Sequence, residues 1–279
     1  MGSCGFWNIR GMNRSSKQNE IKWFLNQNKV GLYELLETRI RIRNWNKMSS
    51  YFCEEWAICT NNCCHDGGRI CLLWNPSMYS VNVLDIADQC IHSEVFDKIR
   101  KTYLWFTLFY GFNEYAARES LWHRLRLYHN GMHGPWLVEG DFNSIMAADE
   151  RIGGAPVTRV EMRAMSLAMI ECDLYDLKST GSFYTWNNKH EHEGKVYSRI
   201  DMVFINDAWL NEFPSSVAHF LPEGLFDHCP CLVRFDEAPI KRKSPFKYYN
   251  MWAKAHGFED LITNRLGGGG GEGVNCKGY

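Results

Sequence analysis

The stretch WLVEGDFNSI, from Trp136 to Ile145, begins as an apolar run and stops on glycine, aspartate and asparagine. The run has the length and composition of a buried strand. Gly140, Asp141 and Asn143 are residue types common in turns. Loops held by a rigid sheet are also where catalytic groups concentrate. Comparison with the other strand ends of the chain indicates whether these residues form only a turn or a functional site.

Composition sets limits on the partner. The chain has 279 residues, 45% of them hydrophobic and 23% charged, enough to bury one sizeable core. The formal net charge is −1, so a nucleic-acid partner would need a local basic patch. Two segments offer such patches, with solvated surface or a linker as the alternative interpretation. They contain Arg39, Arg41, Arg43 and Lys47, and Lys241, Arg242, Lys243 and Lys247.

Leader and cysteine patterns indicate an intracellular protein without a membrane partner. No window approaches the ~20 apolar residues of a membrane span, and MGSCGFWNIRG has no basic leader. The 11 cysteines are therefore expected to be reduced thiols. The densest group lacks the paired spacing of a structural zinc site, so we interpret its members as incidental: Cys59, Cys63, Cys64 and His65.

Helical and strand signals alternate along the chain. Two predicted helices begin with capping-box pairs, Ser15 with Gln18 and Thr158 with Glu161, and ARESLWHRLRLYHNG predicts a third. β-branched or aromatic runs bounded by Gly and Pro predict strands. These include GLYELLET, GRICLLWNP, KTYLWFTLFYGF, VYSRIDMVFIN and CPCLVRF.

The composition changes after Phe235. The segment DEAPIKRKSPFKYYNMW is charged and interrupted by proline, and GGGGGEG cannot form a regular element. We therefore predict one domain over residues 4–236 and a charged, glycine-rich tail over residues 237–279.

Polar residues recur where the predicted strands end. Each alone fits a turn or cap, but together they include the groups that phosphodiester hydrolysis requires. Glu37 and Asp227 are hard oxygen ligands that suit Mg²⁺. An ionised Asp141 can accept a proton from an attacking water. Asp201 can fix the tautomer of His228 and stabilise the imidazolium, which can hydrogen-bond a phosphoryl oxygen. Further polar candidates at strand ends are Asn8, Tyr110, Asn113 and Asn143.

Seven segments occur in the order found in a known superfamily and cover almost all of residues 5–235. The chain resembles the exonuclease–endonuclease–phosphatase superfamily, with its deoxyribonuclease-I-like fold. It resembles more closely the endonuclease domain of plant-type LINE (non-LTR) retrotransposon polyproteins, and SPFKYYNMWAKAHGF resembles the segment that leads toward a reverse transcriptase. The seven segments are WNIRGMN, LLETRI, FYGFNE, VEGDFN, FYTWNN, SRIDMVFIN and DHCPCLV.

The resemblance implies a fold and an activity. The fold is α/β of the α+β type: a four-layer sandwich of two packed, mixed, mostly antiparallel β-sheets flanked by helices. The activity is that of a metal-dependent phosphodiesterase, with Mg²⁺ or alternatively Mn²⁺, which nicks double-stranded DNA. A retroelement nuclease would act in the nucleus, and we infer no obligate protein partner.

The resemblance also implies residue roles. Glu37 and Asp227 would hold the metal, and Asp141 would activate or position the nucleophilic water. Asp201 would pair with the catalytic His228. The remaining catalytic candidates are Asn143 and Tyr110, and the substrate-binding candidates are Asn8, Asn113 and Thr185.

Three departures from the family pattern bear on activity. Phe226 stands where family members usually have serine, and we expect its ring to narrow the site or tilt His228. Arg10 stands where some repair-type relatives carry an acid. The leader MGSCGF supplies little of a first strand, so we expect it to hold Asn8 loosely.

Three functions therefore compete. The intact acids favour an active DNA-nicking phosphodiesterase. Phe226, the altered leader and the truncation favour a catalytically impaired or domesticated retroelement fragment. A phosphodiesterase that acts on lipid or inositol phosphates is the third, against which the retroelement-type segments argue.

Overall fold

Strands form most of the regular structure in the computed structural model, which describes residues 3–41, 43–44, 56–65 and 67–235. The tail predicted over residues 237–279 lies outside these ranges, so the division into domain and tail stays a prediction. In chain order the strands are β1 Ser3–Cys4, β2 Phe6–Asn8, β3 Leu32–Leu36, β4 Ala57–Thr60, β5 Ile70–Trp74, β6 Tyr79–Ile86, β7 Cys90–Asp97, β8 Thr102–Tyr110, β9 Trp136–Asp141, β10 Arg151–Ile152, β11 Tyr175–Asp176, β12 Ser179–Gly181, β13 Trp186–Asn187, β14 Tyr197–Ser198, β15 Asp201–Ile205, β16 Val217–Phe220 and β17 Cys231–Arg234.

The strands form two facing layers. One is a six-stranded sheet in the order β11-β15-β9-β8-β7-β6, antiparallel throughout except between β8 and β9. The other contains two four-stranded sheets, β2-β3-β5-β4 and β1-β17-β16-β12. A small three-stranded sheet, β10-β14-β13, is separate. The predicted mixed and mostly antiparallel pairing is confirmed.

Apolar side chains from both layers meet in a central core. Side chains alternate between the two faces of a strand, so Phe6 and Leu36 from one layer point toward Leu108, Leu137 and Val203 from the other. All five are buried in a single hydrophobic cluster.

Helices cover the two outer faces, and none of those in the described ranges is long and apolar enough to span a membrane. The first helix buries Ile21, Phe24 and Leu25 against the sheet that contains β3. The second and third pack side chains such as Leu121 and Met165 against the six-stranded sheet. The layers therefore stack as helix, sheet, sheet, helix, as predicted. The α-helices that lie wholly within the described ranges are α1 Ser15–Gln27, α2 Glu119–Asn130, α3 Arg159–Glu171 and α4 Asp207–Glu212.

The two predicted capping boxes differ in outcome. Thr158 caps α3, accepting from the Glu161 N–H while the Glu161 carboxylate accepts from the Thr158 N–H. The Ser15–Gln18 box is wrong, because Ser15 is already the first helical residue and Arg14 holds the cap position without a side-chain hydrogen bond.

The leader forms two strands, one on each side of Gly5. Ser3–Cys4 pairs antiparallel with β17, and Phe6–Asn8 pairs parallel with β3, so the chain passes from one sheet to the other at Gly5. A Cβ there would lie 2.2 Å from the Cys231 carbonyl oxygen, and φ is +153°. The expectation of a loosely held Asn8 is therefore wrong, because both leader strands are paired and Asn8 is fully buried.

Two acids lie within the central core. Glu34 on β3 and Glu139 on β9 are both fully buried, and their carboxylate oxygens have no hydrogen-bond partner among the described residues. Burial raises the pKa of Glu139 to about 8 and the pKa of Glu34 well above its usual value, with the charge of Glu139 adding to the shift of Glu34. Both carboxyls are therefore held in the protonated form at neutral pH.

Candidate active site

Three predicted site residues form a row across the six-stranded sheet. Asp141 at the end of β9 lies opposite Tyr110 on β8 and Asp201 on β15. Residues directly opposite on neighbouring strands point to the same face. The row lies on the face toward the second layer, because Leu137, four positions before Asp141 on β9 and therefore on the same face, is part of the central core.

Asp141 lies at the centre of the site. Its Oδ2 accepts a hydrogen bond from the Asn8 side chain at 2.8 Å, and its Oδ1 accepts from the backbone N–H of Asn143 at 2.9 Å. Burial raises the pKa of Asp141 to about 7, and the charge of Asp201 adds to this while His228 opposes it. The carboxyl can therefore take up or release a proton near neutral pH.

His228 is paired with Asp201, as the sequence predicted. Its Nδ1 lies 2.9 Å from Asp201 Oδ2, and its Nε2 lies 3.9 Å from Asp141 Oδ2. Burial alone would lower the pKa of His228, but the charge and hydrogen bond of Asp201, with the charges of Asp141 and Asp227, raise it to about 9. At neutral pH the ring is therefore mainly an imidazolium, with Nε2 directed toward Asp141.

Asp141, Asp201 and His228 form the one group of three metal-binding residue types whose ligand atoms lie within 4.8 Å of one another in the described ranges. The contact of His228 Nδ1 with Asp201 satisfies that nitrogen. We therefore interpret the group as an acid–imidazole pair facing a second acid.

Glu37 directly follows β3 and lies close to the row. Asn8 Nδ2 is 3.5 Å from Glu37 Oε1, so one amide reaches both Glu37 and Asp141. Arg39 donates to Glu37 Oε2 through Nε at 3.1 Å and through Nη2, and Arg69 Nη1 lies 3.4 Å from the same oxygen. Burial opposes ionisation of Glu37, but these arginines and the Tyr110 hydroxyl lower its pKa below the usual value.

Asp227, the other predicted metal ligand, is paired with Arg10. The Arg10 guanidinium donates to Asp227 Oδ2, and Trp186 Nε1 lies 3.3 Å from that oxygen. Burial opposes ionisation of Asp227, but the charge of His228 and the contact with Arg10 lower its pKa. Arg10 thus contributes a cation where some repair-type relatives carry an acid.

The amide and hydroxyl candidates have different surroundings. The Asn143 side chain donates to the Gly111 carbonyl at 2.7 Å, beside Asp141. Thr185 Oγ1 accepts from the backbone N–H groups of Ile200 and Asp201, so its contacts hold Asp201 in place. Asn113 is exposed, and within the described ranges no hydrogen bond joins its side chain to the other site residues. Substrate binding by Thr185 and Asn113 stays a prediction.

Phe226 does not narrow an open site or face the carboxylates. Its ring is 2% exposed and packs in the core beneath α1, with its centroid 4.2 Å from that of Trp7. Trp7 Nε1 in turn donates to the His228 carbonyl at 3.0 Å. The expectation that Phe226 narrows the site is therefore wrong, because its ring packs in the core against Trp7. A tilt of His228, which Trp7 contacts, stays a prediction.

Several residues of the site were not predicted. Arg39 stood only in a general basic cluster, and its spacing of two from Glu37 was the available signal. Arg69 and the tryptophans Trp7 and Trp186 reach the site through pairing between distant segments. A triad of charged residues, two buried and one exposed, also supports the chain after Asp141 and before Asp201. In it Arg199 contacts Glu150 and Asp176.

The cysteine-rich segment reaches this site through His65, which contacts Arg69. Cys63 and Cys64 are exposed with sulfur atoms 3.5 Å apart, and His65 Nε2 accepts from Arg69 Nε at 3.4 Å. Among the described residues no group of three metal ligands includes them.

Three solved structures illustrate the fold to which this chain is similar. The endonuclease domain of TRAS1, a telomere-specific non-LTR retrotransposon, has a TM-score of 0.64 and 13% identity, over 85% of this chain and 99% of that one. The 3′ phosphatase NExo from Neisseria, bound to a product DNA hairpin, has a TM-score of 0.62 and 16% identity, over 84% and 99%. The AP endonuclease LMAP from Leishmania major has a TM-score of 0.64 and 12% identity, over 85% and 88%.

These identities establish the fold alone. The chain has the fold found in endonuclease/exonuclease/phosphatase proteins. No protein-family model and no curated protein sequence matches it significantly.

Proposed function

We propose that this chain is a divalent-metal-dependent phosphodiesterase that nicks DNA. The observation that carries the proposal is the position of Asp141, which contacts Asn8 on one side and faces His228 on the other. Through Asn8 the same site reaches Glu37, so acids from distant segments meet at one place. Three of the structural neighbours are named as nucleases or as acting on DNA, which supports DNA as the substrate class.

The donor set fits a hard divalent cation. Glu37 and Asp227 present carboxylates whose pKa values are lowered, so both are ionised at neutral pH. Oxygen ligands of this kind suit Mg²⁺ or Mn²⁺. When bound, the cation would stabilise negative charge on the phosphoryl group and the leaving oxygen.

The remaining chemistry belongs to protein groups. Asp141 accepts the proton of the attacking water as the new phosphorus–oxygen bond forms and the bond to the leaving oxygen breaks. The His228 imidazolium donates from Nε2 to a phosphoryl oxygen, while Asp201 holds the ring through Nδ1. Tyr110 keeps its proton and remains a donor, because burial and the charges of Glu37 and Asp141 raise its pKa.

A plasmid-nicking assay tests this proposal. Supercoiled DNA is incubated with purified protein and Mg²⁺ or EDTA, beside Asp141→Ala and the control Asp149→Ala, which alters an exposed acid after the same strand. We expect metal-dependent nicking by the wild type and the control, and loss of nicking in Asp141→Ala. Equal nicking in every lane would indicate contamination. Failure of folded wild type at every metal concentration would favour the impaired fragment.

A further inference from the structure

The two carboxylates assigned to the metal are already paired with cations of the protein. Arg39 and Arg69 contact Glu37, and Arg10 contacts Asp227. Three guanidinium groups therefore face two acids. A divalent cation that approaches these acids meets three positive charges at short range, which oppose it by direct repulsion and by competition for the same oxygens.

The three arginines differ in how easily their side chains can leave the carboxylates. The side chains of Arg10 and Arg39 are 51% and 48% exposed, whereas that of Arg69 is 27% exposed and lies over the Tyr110 ring at 5.5 Å. Water screens a half-exposed guanidinium group, which weakens its ion pair relative to that of a more buried one. Arg10 and Arg39 can therefore leave their carboxylates more easily than Arg69 can.

The backbone places the two mobile arginines at the site. Arg10 and Arg39 have φ values of +42° and +54°, and Glu37 has a φ of +49°. Non-glycine residues rarely adopt this left-handed conformation, which costs free energy unless the surroundings enforce it. Here hydrogen bonds enforce it: the Arg10 N–H donates to Asn8 Oδ1, and the Arg39 N–H donates to the Gly68 carbonyl.

We propose that Arg10 and Arg39 occupy the metal carboxylates in the free protein and transfer to the substrate phosphodiester when the cation binds. The inference rests on the function proposed above and adds an exchange to it. Guanidinium groups bind phosphate as readily as carboxylate, often through two parallel hydrogen bonds. With a cation bound, Arg10 and Arg39 would leave Asp227 and Glu37 and would be free to contact the DNA backbone.

The exchange predicts reciprocal coupling. If the cation frees the arginines for phosphate, it must tighten DNA binding, and DNA must tighten cation binding by the same factor. Loss of one arginine must then have opposite effects on the two ligands. It removes a competitor of the cation and a partner of the phosphate, whereas loss of an ion pair with a merely structural role would not strengthen binding of the cation.

Binding of Mn²⁺, followed by the electron paramagnetic resonance of the free ion, tests the first half. It is measured on the whole chain as wild type, Arg10→Gln and Arg39→Gln. The matched control is Arg126→Gln, which breaks the exposed Arg126–Glu171 pair. We expect each site variant to bind Mn²⁺ about two- to fivefold more tightly, the scale of one such ion pair, and the control to bind like wild type. Unchanged or weaker binding in both site variants would overturn the proposal.

DNA affinity tests the second half. Fluorescence anisotropy of a labelled duplex is recorded with and without Mn²⁺ in a His228→Ala background, which limits cleavage. We expect Mn²⁺ to tighten binding, and Arg39→Gln to reduce that gain although it binds the ion more tightly. An undiminished gain would contradict the transfer to phosphate.

Two further variants separate this inference from the proposed function. Glu37→Gln and Asp227→Asn remove the metal carboxylates. If these two variants abolish Mn²⁺ binding but the arginine variants bind Mn²⁺ no more tightly than wild type, the exchange fails and the metal assignment stands. If they bind Mn²⁺ like wild type, both fail.

Discussion

His228 is fixed at three points, and this restraint suits the role that we propose for it. Asp201 contacts Nδ1, and Trp7 Nε1 donates a hydrogen bond to the His228 backbone carbonyl. The His228 backbone also pairs with that of Trp186 in an isolated antiparallel bridge. Only Nε2 faces Asp141. A side chain restrained in this way loses little freedom when a substrate binds.

We expect His228→Ala to reduce nicking at least ~10²-fold, the usual scale for a positioned acid–base or oxyanion group. The measurement is the initial rate on supercoiled DNA at saturating Mg²⁺. The control is His123→Ala, which changes an exposed histidine on α2. Cleavage retained in His228→Ala would remove the histidine from the mechanism.

Phe226→Ser should destabilise the protein without activating it. From the sequence alone, removing this ring should raise nicking at least tenfold, but the ring packs against Trp7 in the core beneath α1. Its loss leaves a cavity, and truncation of a buried Phe typically costs about 3–5 kcal/mol. Urea unfolding measures the loss, and nicking is compared at equal folded concentration. A gain in nicking by the folded variant would reinstate the obstruction.

At the scale of elements, the passage between sheets at Gly5 depends on the absence of a side chain. Gly5→Ala places a Cβ within 2.2 Å of the Cys231 carbonyl oxygen. We expect one of the two strand pairings to break, with a loss of stability above about 2 kcal/mol. Gly131→Ala is the control, because its Cβ would lie 3.8 Å from the nearest atom. Urea unfolding compares them, and equal stabilities would show that the crossing can adapt.

Local sequence predicted those elements whose signals are local. The capping box of α3 and the apolar runs of β3, β8 and β9 need no distant partner to be recognised. The strands β6 and β7 were not predicted, although they pair over most of their length. β6 is partly exposed, and β7, although largely buried, carries His92, Ser93 and Glu94 in its middle, so its sequence lacks a continuous apolar run. Both strands pair with neighbours that a local pattern does not show.

The site was predictable to a similar extent. Asp141, Asp201 and His228 could be identified because their residue types limit the chemistry, and the structure brings them together. The arginines on Glu37 and Asp227 could not, because Arg69 lies just before β5, 32 residues from Glu37, and Arg10 meets Asp227 from the opposite end of the chain. The packing of Phe226 was missed because neighbours in sequence do not show which way a ring points.

At the scale of the whole molecule, the buried acids make stability depend on pH. Burial raises the pKa of Glu139 to about 8, whereas an unfolded Glu titrates near about 4.3. Between these values the folded carboxyl keeps a proton that the unfolded one has lost. The stabilising proton is thus fully retained below about pH 4.3, and stability falls as pH rises toward 8.

Glu139→Gln should therefore gain stability over wild type as pH rises. We expect the difference in unfolding free energy to shift in favour of the variant by at least ~1 kcal/mol between pH 5.5 and 8.5, since each unit of pKa shift corresponds to ~1.4 kcal/mol. Urea unfolding at both pH values measures it, with the exposed Glu212→Gln as control. A difference that stays constant with pH would show that Glu139 is ionised in the folded protein.

The pairing of β1 with β17 sets when the fold can be completed. Ser3 lies opposite Arg234 and Cys4 opposite Val233, so the earliest described strand waits for the latest. During synthesis, the edge of β1 stays unpaired until β17, about 230 residues further along the chain, has left the ribosome. In a circular permutant, a short linker would join Arg234 to Ser3 and new termini would be opened in an exposed loop. β1 and β17 would then be synthesised one after the other, and less unpaired strand edge should be available to chaperones during synthesis.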